Sequence, residues 1–501
     1  MKRFFSKIGR FFWSWGFLKF VLGLIALIVF LYIEEDWRGA HAWAVTKAKW
    51  EAKGETFDYA KFIPPPVPDE QNLAALPLLE LKQEPSRSGS FPEPYLGMPN
   101  LEKAMWQDEP TIVFPIGGPE KIREMLAKDY GIAFKGQKPS PSALAQFDAL
   151  YPFTTDLRAA AATRPYFRLN FDYAVSPPTA RPFGTLTKAL ALAKVLTLHA
   201  ELALDDKKPD LALGDIKATY IILSGVKRDP SLVGGLVAIG TAAISNAALD
   251  AGLTQHAWND AQLAELEQLL KPINFLADFQ FAMRSEVVQS AANTDFFEHA
   301  SRSDIAKLFG SASPAQAIFS VPWPGGWWDQ NKTQMAEHLF QSLEIVDPQA
   351  RLIFPKAVHD LQNQIEQART GWRAFAPGSI LANASAGPIT RAAQKYAIAQ
   401  GCVDERRIGC ALERYRLAHG VYPGKLEELV PKCIDELPHD IMNGEAYHYR
   451  LNPDGTFLLY SVGWNQIDDG GTVVFNKDNP RLVNYEQGDW VWPTPKAAAS
   501  K

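Results

Sequence analysis

Residues 411–471 read ALERYRLAHGVYPGKLEELVPKCIDELPHDIMNGEAYHYRLNPDGTFLLYSVGWNQIDDGG, and their punctuation dictates a small α+β unit. Ile408, Leu412, Tyr415 and His419 recur at helical spacing, while Arg414 and Arg416 point elsewhere. Gly420 caps that helix, and Pro423 follows where a helix cannot continue. Leu426, Leu429 and Val430 make one short apolar turn, stopped by Pro431. Asn443-Gly444 signals a tight turn. Tyr447, Tyr449 and Leu451 alternate with His448 and Arg450, as in a half-buried strand over residues 446–451. Asn452-Pro453-Asp454-Gly455 turns the chain into a more apolar strand over residues 456–462. The order is helix, loop, antiparallel hairpin and a loop rich in Asn, Asp and Gly.

Tyr422-Pro423, Leu429-Val430-Pro431, Asp440, Gly444, Tyr449 and Ser461-Val462-Gly463 carry a resemblance. Order and wording are similar to the C-terminal part of the major pseudopilin of type II secretion. The pseudopilin loop that follows its S-x-G binds calcium, so the resemblance implies a calcium site over residues 461–471. Two positions depart from that pattern: Ile441 stands where the family usually has Pro, and Asn465 where Asp is common. Read on their own, Ser461, Asn465, Asp468 and Asp469 offer oxygen donors, and calcium takes six to eight. Two outcomes stay open, a modest calcium site and a metal-free turn of Asx and Gly residues.

A second resemblance spans nearly the whole chain. It rests on Gly54-Glu55, the run Pro64 to Asn72, Gly326-Trp327, Gln330-Asn331, residues 460–471 and the closing Gly488-Asp489-Trp490-Val491-Trp492. These resemble a group of single-span membrane proteins from planctomycete and verrucomicrobial bacteria. The group has no known activity, so the resemblance implies a fold and no catalytic residues.

The N-terminus sets the compartment. Residues 11–33 hold one charge, Lys19, and residues 20–33 are unbroken: FVLGLIALIVFLYI. About 20 apolar residues span a bilayer. Lys19 can snorkel to the headgroups, with Trp13 and Trp15 at the interface. Lys2, Arg3, Lys7 and Arg10 precede the span, and Glu34-Glu35-Asp36 follow it. The positive-inside rule then places the N-terminus in the cytoplasm and the body in the periplasm, on a single pass through the inner membrane. Signal-peptide cleavage at Ala40-His41-Ala42 is the weaker alternative, because the small residues lie behind three acids. A pilin-type leader after Gly16-Phe17 lacks its glutamate.

The chain of 501 residues has a net charge of −5. With the basic tail set aside, the body is more acidic still, which argues against nucleic acid as a partner. We divide it into a tail and span (residues 1–36), a juxtamembrane helix with a Pro-rich extended segment and a mixed region (37–140), an all-α domain (141–385) and a pseudopilin-like α+β module with a C-terminal tail (386–501). Residues 37–59 read as a helix with Trp43 and Trp50 a heptad apart, and residues 63–69 as a docked polyproline-like run. A surface loop is expected at 86–94, a strand at 111–114 and a helix at 120–127. Helices follow at 186–204, 210–226, 231–251, 260–270 and 275–292, separated by short Pro, Asp or Gly breaks. The fold class is therefore mainly α: an N-terminal transmembrane helix, a helical bundle or irregular solenoid, and a small α+β module. Residues 233–249 are apolar nearly all round but Ala-rich with small residues, so a buried core helix is favoured over a second span.

Chemistry is sparse. HExxH, G-x-S-x-G and the Gly-rich phosphate loops are all missing from the sequence. Ser224-Gly225-Val226-Lys227 spells S-x-x-K at a helix end without companion motifs. His439 and His448 could meet across the hairpin, although surface positions are the commoner fate. Of Cys402, Cys410 and Cys433, the first two lie about 12 Å apart on one helix, too far for a disulfide. Cys410–Cys433 would tie the module's helix to its turn, with buried free thiols as the alternative. Trp323, Trp327 and Trp328 lie in VPWPGGWWDQ, either as a sugar-stacking platform or as a packed loop closing the bundle. Two function classes compete. One is a membrane-tethered envelope scaffold or binding protein with a protein partner. The other is an envelope hydrolase with its site in the helical domain.

Overall fold

A computed structural model describes residues 15–76, 142–173, 175–181, 184–309, 323–370, 376–386, 388–477, 479 and 482–495. The basic tail, and the elements expected at 86–94, 111–114 and 120–127, lie outside the described residues.

Helix α1 (Trp15–Glu51) is a single rod. Its apolar side chains from Leu18 to Ile33 are exposed all round, a surface that water does not tolerate on this scale. It has the length and composition to cross a membrane. The helix expected over 37–59 is the outward continuation of this rod. It stops at Glu51, because Gly54 turns the chain at φ 90° and a short 3-10 turn capped by Asp58 follows at Tyr59–Phe62. The polyproline-like run is anchored at its ends, with Phe62, Pro64, Asn72 and Leu73 buried, while Pro65, Pro66, Pro68 and Asp69 between them are exposed. The Asn72 amide bonds both the N–H and the carbonyl of Arg168.

Helices α2 (Ala143–Leu150) and α3 (Phe153–Ala161) lead into α4 (Gly184–Asp205), α5 (Pro209–Val226) and α6 (Leu232–Thr254), which pack on one another. Their boundaries follow local chemistry. Pro209 opens α5 where its missing N–H costs nothing. Ser231 caps α6 by accepting the Gly234 N–H. A capping box of Asn259 and Gln262 starts α7 (Asp260–Leu270), and Asn274 caps α8 (Phe275–His299). α6 passes the same length and composition test as α1, yet 56% of its apolar window is buried within the body. It is the core helix expected from its small residues: a Cβ on Gly235 would lie 1.7 Å from the Tyr396 hydroxyl.

Beyond α9 (Arg302–Phe309), α10 (Gly325–Gln341) runs beside α1. The aromatic stretch is thus the first turn of a helix rather than a loop. A two-stranded hairpin, β1 (Val346–Asp347) and β2 (Leu352–Ile353), leads to α11 (Pro355–Ala368), α12 (Ile380–Ala386) and α13 (Pro388–His419). α13 packs against α6, α7, α8 and α11, which are distant from it in sequence. A solenoid allows contacts only between neighbouring repeats, so the body is a bundle.

Gly420 ends α13 at φ 80°. β3 (His448–Leu451) and β4 (Phe457–Ser461) form the expected hairpin. β3 is an edge strand whose last two residues are exposed, so its alternation fades at Arg450 and Leu451. β5 (Val473–Phe475) pairs with β6 (Val483–Gly488). The closing Trp-rich motif becomes β7 (Trp490–Trp492), antiparallel to β4. One continuous core joins Trp50 to Trp492.

Gly409 of α13 faces the Trp492 ring, where a Cβ would come within 2.2 Å. Gly409→Ala gains helix propensity of about 1 kcal/mol but overpacks the helix–sheet seam at a cost of about 1–3 kcal/mol. The substitution should lower the denaturation midpoint, as read by urea titration; an unchanged or raised midpoint would contradict this packing.

Candidate functional site

Where α1 leaves its apolar stretch, α10 meets it. Asp36 Oδ1 accepts the Gly326 N–H at 3.0 Å. α10 has no side-chain cap of its own, so the Asp36 carboxylate caps it from another helix and sits at its positive end. Glu35 accepts from the Trp327 indole at 3.2 Å and from Gln330 at 2.8 Å, and it pairs with Arg38 at 2.7 Å. Higher up, the Lys332 ammonium lies over the Trp43 ring and Glu337 pairs with Lys49. Gly39, Trp43, Thr46 and Trp50 form the seam at four- and three-residue spacing, so the heptad spacing of the two tryptophans marks a helix pair. Trp323 packs on Trp327 and Trp328, with ring centroids 6.2 and 5.0 Å apart. The expected aromatic surface is therefore gathered, and it is docked on the turn of α1 that follows its apolar stretch.

The loop residues expected to bind calcium face different partners. The Ser461 hydroxyl donates to Asp440 at 2.9 Å. The Asn465 amide donates to Asp469 at 2.9 Å. Asp468 accepts from the Tyr460 hydroxyl and the Gly470 N–H. Asp489, which is buried, accepts the N–H groups of Asp469, Gly471 and Thr472. The loop thus turns three backbone donors onto the Asp489 carboxylate. Among the described residues no three His, Cys, Asp or Glu side chains converge to hold a metal ion. In this arrangement Ser461, Asn465 and Asp468 are engaged by protein partners, and Asp469 accepts from the Asn465 amide. Asp440 does parallel work, accepting from Ser461 and from the N–H groups of Met442 and Val462.

Cys402, Cys410 and Cys433 are free thiols, and the Cys410–Cys433 link is not formed in the structure. Burial pushes Cys402 up to about 11 and raises Cys410 and Cys433, which keeps these thiols protonated and inert. Ser224 donates to the Ile221 carbonyl while Lys227 pairs with Asp278, so the S-x-x-K residues have separate partners. His439 bonds the Ala350 carbonyl and His448 stacks on Tyr460.

Two buried polar clusters escaped the sequence reading. In the first, His199 Nδ1 lies 2.5 Å from Asp215 Oδ2 and Nε2 lies 3.0 Å from Asp148 Oδ1. Arg158 bonds the other Asp215 oxygen at 2.9 Å. His199 and Asp215 are fully buried, whereas the Asp148 side chain is 42% exposed and opens the cluster to solvent. The available signal was a polar residue inside each of two apolar stripes, since buried polar groups need partners. In the second cluster, Arg181 joins Asp229 and Gln289, Ser231 donates to Asp229, and Glu286 accepts the Leu232 N–H. The buried Tyr59 hydroxyl beside it has no hydrogen-bond partner among the described residues.

No protein-family model, curated protein or solved structure matches the chain. The reading of function therefore rests on the chain's own geometry.

Two outcomes test this chemistry. Asp489→Ala should cost about 1–3 kcal/mol, because it removes the acceptor of three part-buried N–H donors, and should do so equally in calcium and in chelator. A loss confined to calcium-containing buffer in chemical denaturation would restore the metal. Burial raises the Glu286 carboxyl above its ordinary 4.5. Its contribution to stability is complete below that ordinary value and fades as pH rises through the raised one. Glu286→Gln, which is neutral and keeps an acceptor for Leu232, should melt above the wild type by several degrees at neutral pH, with the gap closing in acid. A gap constant across pH would refute this account.

Proposed function

We propose that the chain is a membrane-anchored scaffold or binding protein of the cell envelope. It sits in the inner membrane with its N-terminus in the cytoplasm and its body in the periplasm, and its C-terminal unit acts as a pseudopilin-like contact module. The observation that carries this reading is the α1–α10 clamp. A flexible tether would suffice to keep a soluble enzyme near a membrane; here the body is fixed to the rod by Asp36, Glu35 and a glycine–glycine contact. Such a mount suits a protein that presents a surface at a set height and orientation. The C-terminal module leaves Leu417, Val421, Val430, Leu451 and Ile467 exposed, which supplies apolar contacts for an envelope protein partner.

The second reading, an envelope hydrolase, is favoured by the His199–Asp215 pair with its solvent-facing Asp148. A carboxylate-oriented histidine is the usual form of a general base. The scaffold remains the preferred reading, because both ring nitrogens are occupied by carboxylates.

The test is crosslinking in intact cells followed by purification of the full chain. Val421→Asp and Ile467→Asp, both at exposed positions, should abolish capture of a reproducible envelope partner without altering the melt. Substrate turnover by the purified chain that is lost in His199→Gln but retained in Val421→Asp would overturn the scaffold in favour of the hydrolase.

A further inference from the structure

We propose that Trp37, Trp323 and Trp327 form an interfacial collar through which the folded body, as well as the span, is seated in the lipid headgroup layer. The proposal rests on α1 crossing the bilayer and goes further, by assigning a lipid-contact surface to the body itself.

The argument is one of height. The unbroken apolar run ends at Ile33. Glu35, the partner of the Trp327 indole, is two residues higher, a rise of about 3 Å along the helix. The headgroup layer on each side of the hydrocarbon core is about 5–7 Å deep. The Trp327 ring therefore lies within it. α10 climbs away from the membrane alongside α1, since Gly326 meets Asp36 and Glu337 meets Lys49. Trp323, which precedes α10 and packs on Trp327, is held at the lower end of that climb. Trp37 is 68% exposed and lies two residues from Glu35, so it faces away from α10 on the opposite side of the rod. Indole rings thus flank the span on two sides at one level, the placement that an apolar body with a polar N–H edge prefers at a membrane surface.

The acids at the exit would otherwise oppose this. Glu34, Glu35 and Asp36 bring three negative charges to the lipid surface. The clamp absorbs two of them. Asp36 is spent on the N-terminus of α10, and Glu35 on Trp327, Gln330 and Arg38. Arg38 keeps half of its side chain exposed beside them. The occupant that fits the collar is phospholipid of the same bilayer.

The experiment reconstitutes the full chain in phosphatidylcholine vesicles whose acyl chains are brominated close to the glycerol, and reads tryptophan quenching. Trp13 and Trp15 at the far end of the span, together with the three collar residues, make five interfacial indoles. Replacing Trp37, Trp323 and Trp327 by Phe should cut the quenchable emission to roughly two-fifths. Trp37→Phe and Trp323→Phe, which remove no described hydrogen bond, should each give a partial loss with unchanged far-ultraviolet dichroism and melting temperature, so a folding defect is recognised. Quenchable emission that is unchanged in all these variants overturns the collar. So does an oligosaccharide that shifts the emission of Trp323 in detergent where lipid does not, which would assign the surface to sugar. Extraction of the wild-type chain from vesicles by alkaline carbonate would mark failure of the span itself, separately from failure of the collar.

Discussion

The mounting of the body on α1 depends on two backbones touching without side chains between them. A Cβ on Gly39 would lie 2.1 Å from the carbonyl oxygen of Gly326, and a Cβ on Gly326 would lie 1.8 Å from that of Glu35. Only glycine at both positions lets α1 and α10 approach so closely, and only that approach brings the Asp36 carboxylate within reach of the first turn of α10. Further order follows from α10. Asn331 on its buried face bonds the carbonyls of Trp327 and Pro377 and accepts the N–H groups of Leu381 and Ala382, which fixes the entry into α12. Lys332 holds Asp295 of α8.

A second constraint sits in α13. Asp404, Glu405, Arg406 and Arg407 are consecutive and all buried. Asp404, Arg406 and Arg407 take partners from separate elements: Arg351 in the β1–β2 turn, Asp250 in α6 and Glu267 in α7. Buried ion pairs add little net stability but are costly to break, so they penalise any other seating of the helix. Asp250 also accepts the Trp492 indole, which brings β7 into the same arrangement.

Much of the fold was legible because it is local. α5, α6 and α7 begin where Pro209, Ser231 and Asn259 place them, and the hairpin turns fall at Gly444 and Gly455. The exposed apolar face of α1 and the burial of α6 could both be read from composition. What stayed hidden depends on distant pairings. Nothing adjacent to Asp489 announces that it gathers three N–H groups from the 469–472 turn, and the same Asp and Gly residues that suggest a cation loop also make an anion-holding one. His199 and Asp215 lie 16 residues apart on different helices, a separation with no motif attached. The tryptophans at 327 and 328 were visible as a cluster, but their helical setting and the acceptor of the Trp327 indole at Glu35 required the third dimension.

The unbroken course of α1 has a mechanical consequence. From Ile33 to Glu51 the rod rises about 27 Å without a proline, a glycine hinge or a break in its hydrogen bonding. Gly39, the one glycine on that stretch, is pinned by Gly326. The helix therefore acts as a lever arm welded to its load. A tilt of about 20°, ordinary for a single span, would displace its upper end sideways by about 9 Å. With α1 as a span, a change in local membrane thickness that reset its tilt would be converted into sideways travel of the whole body.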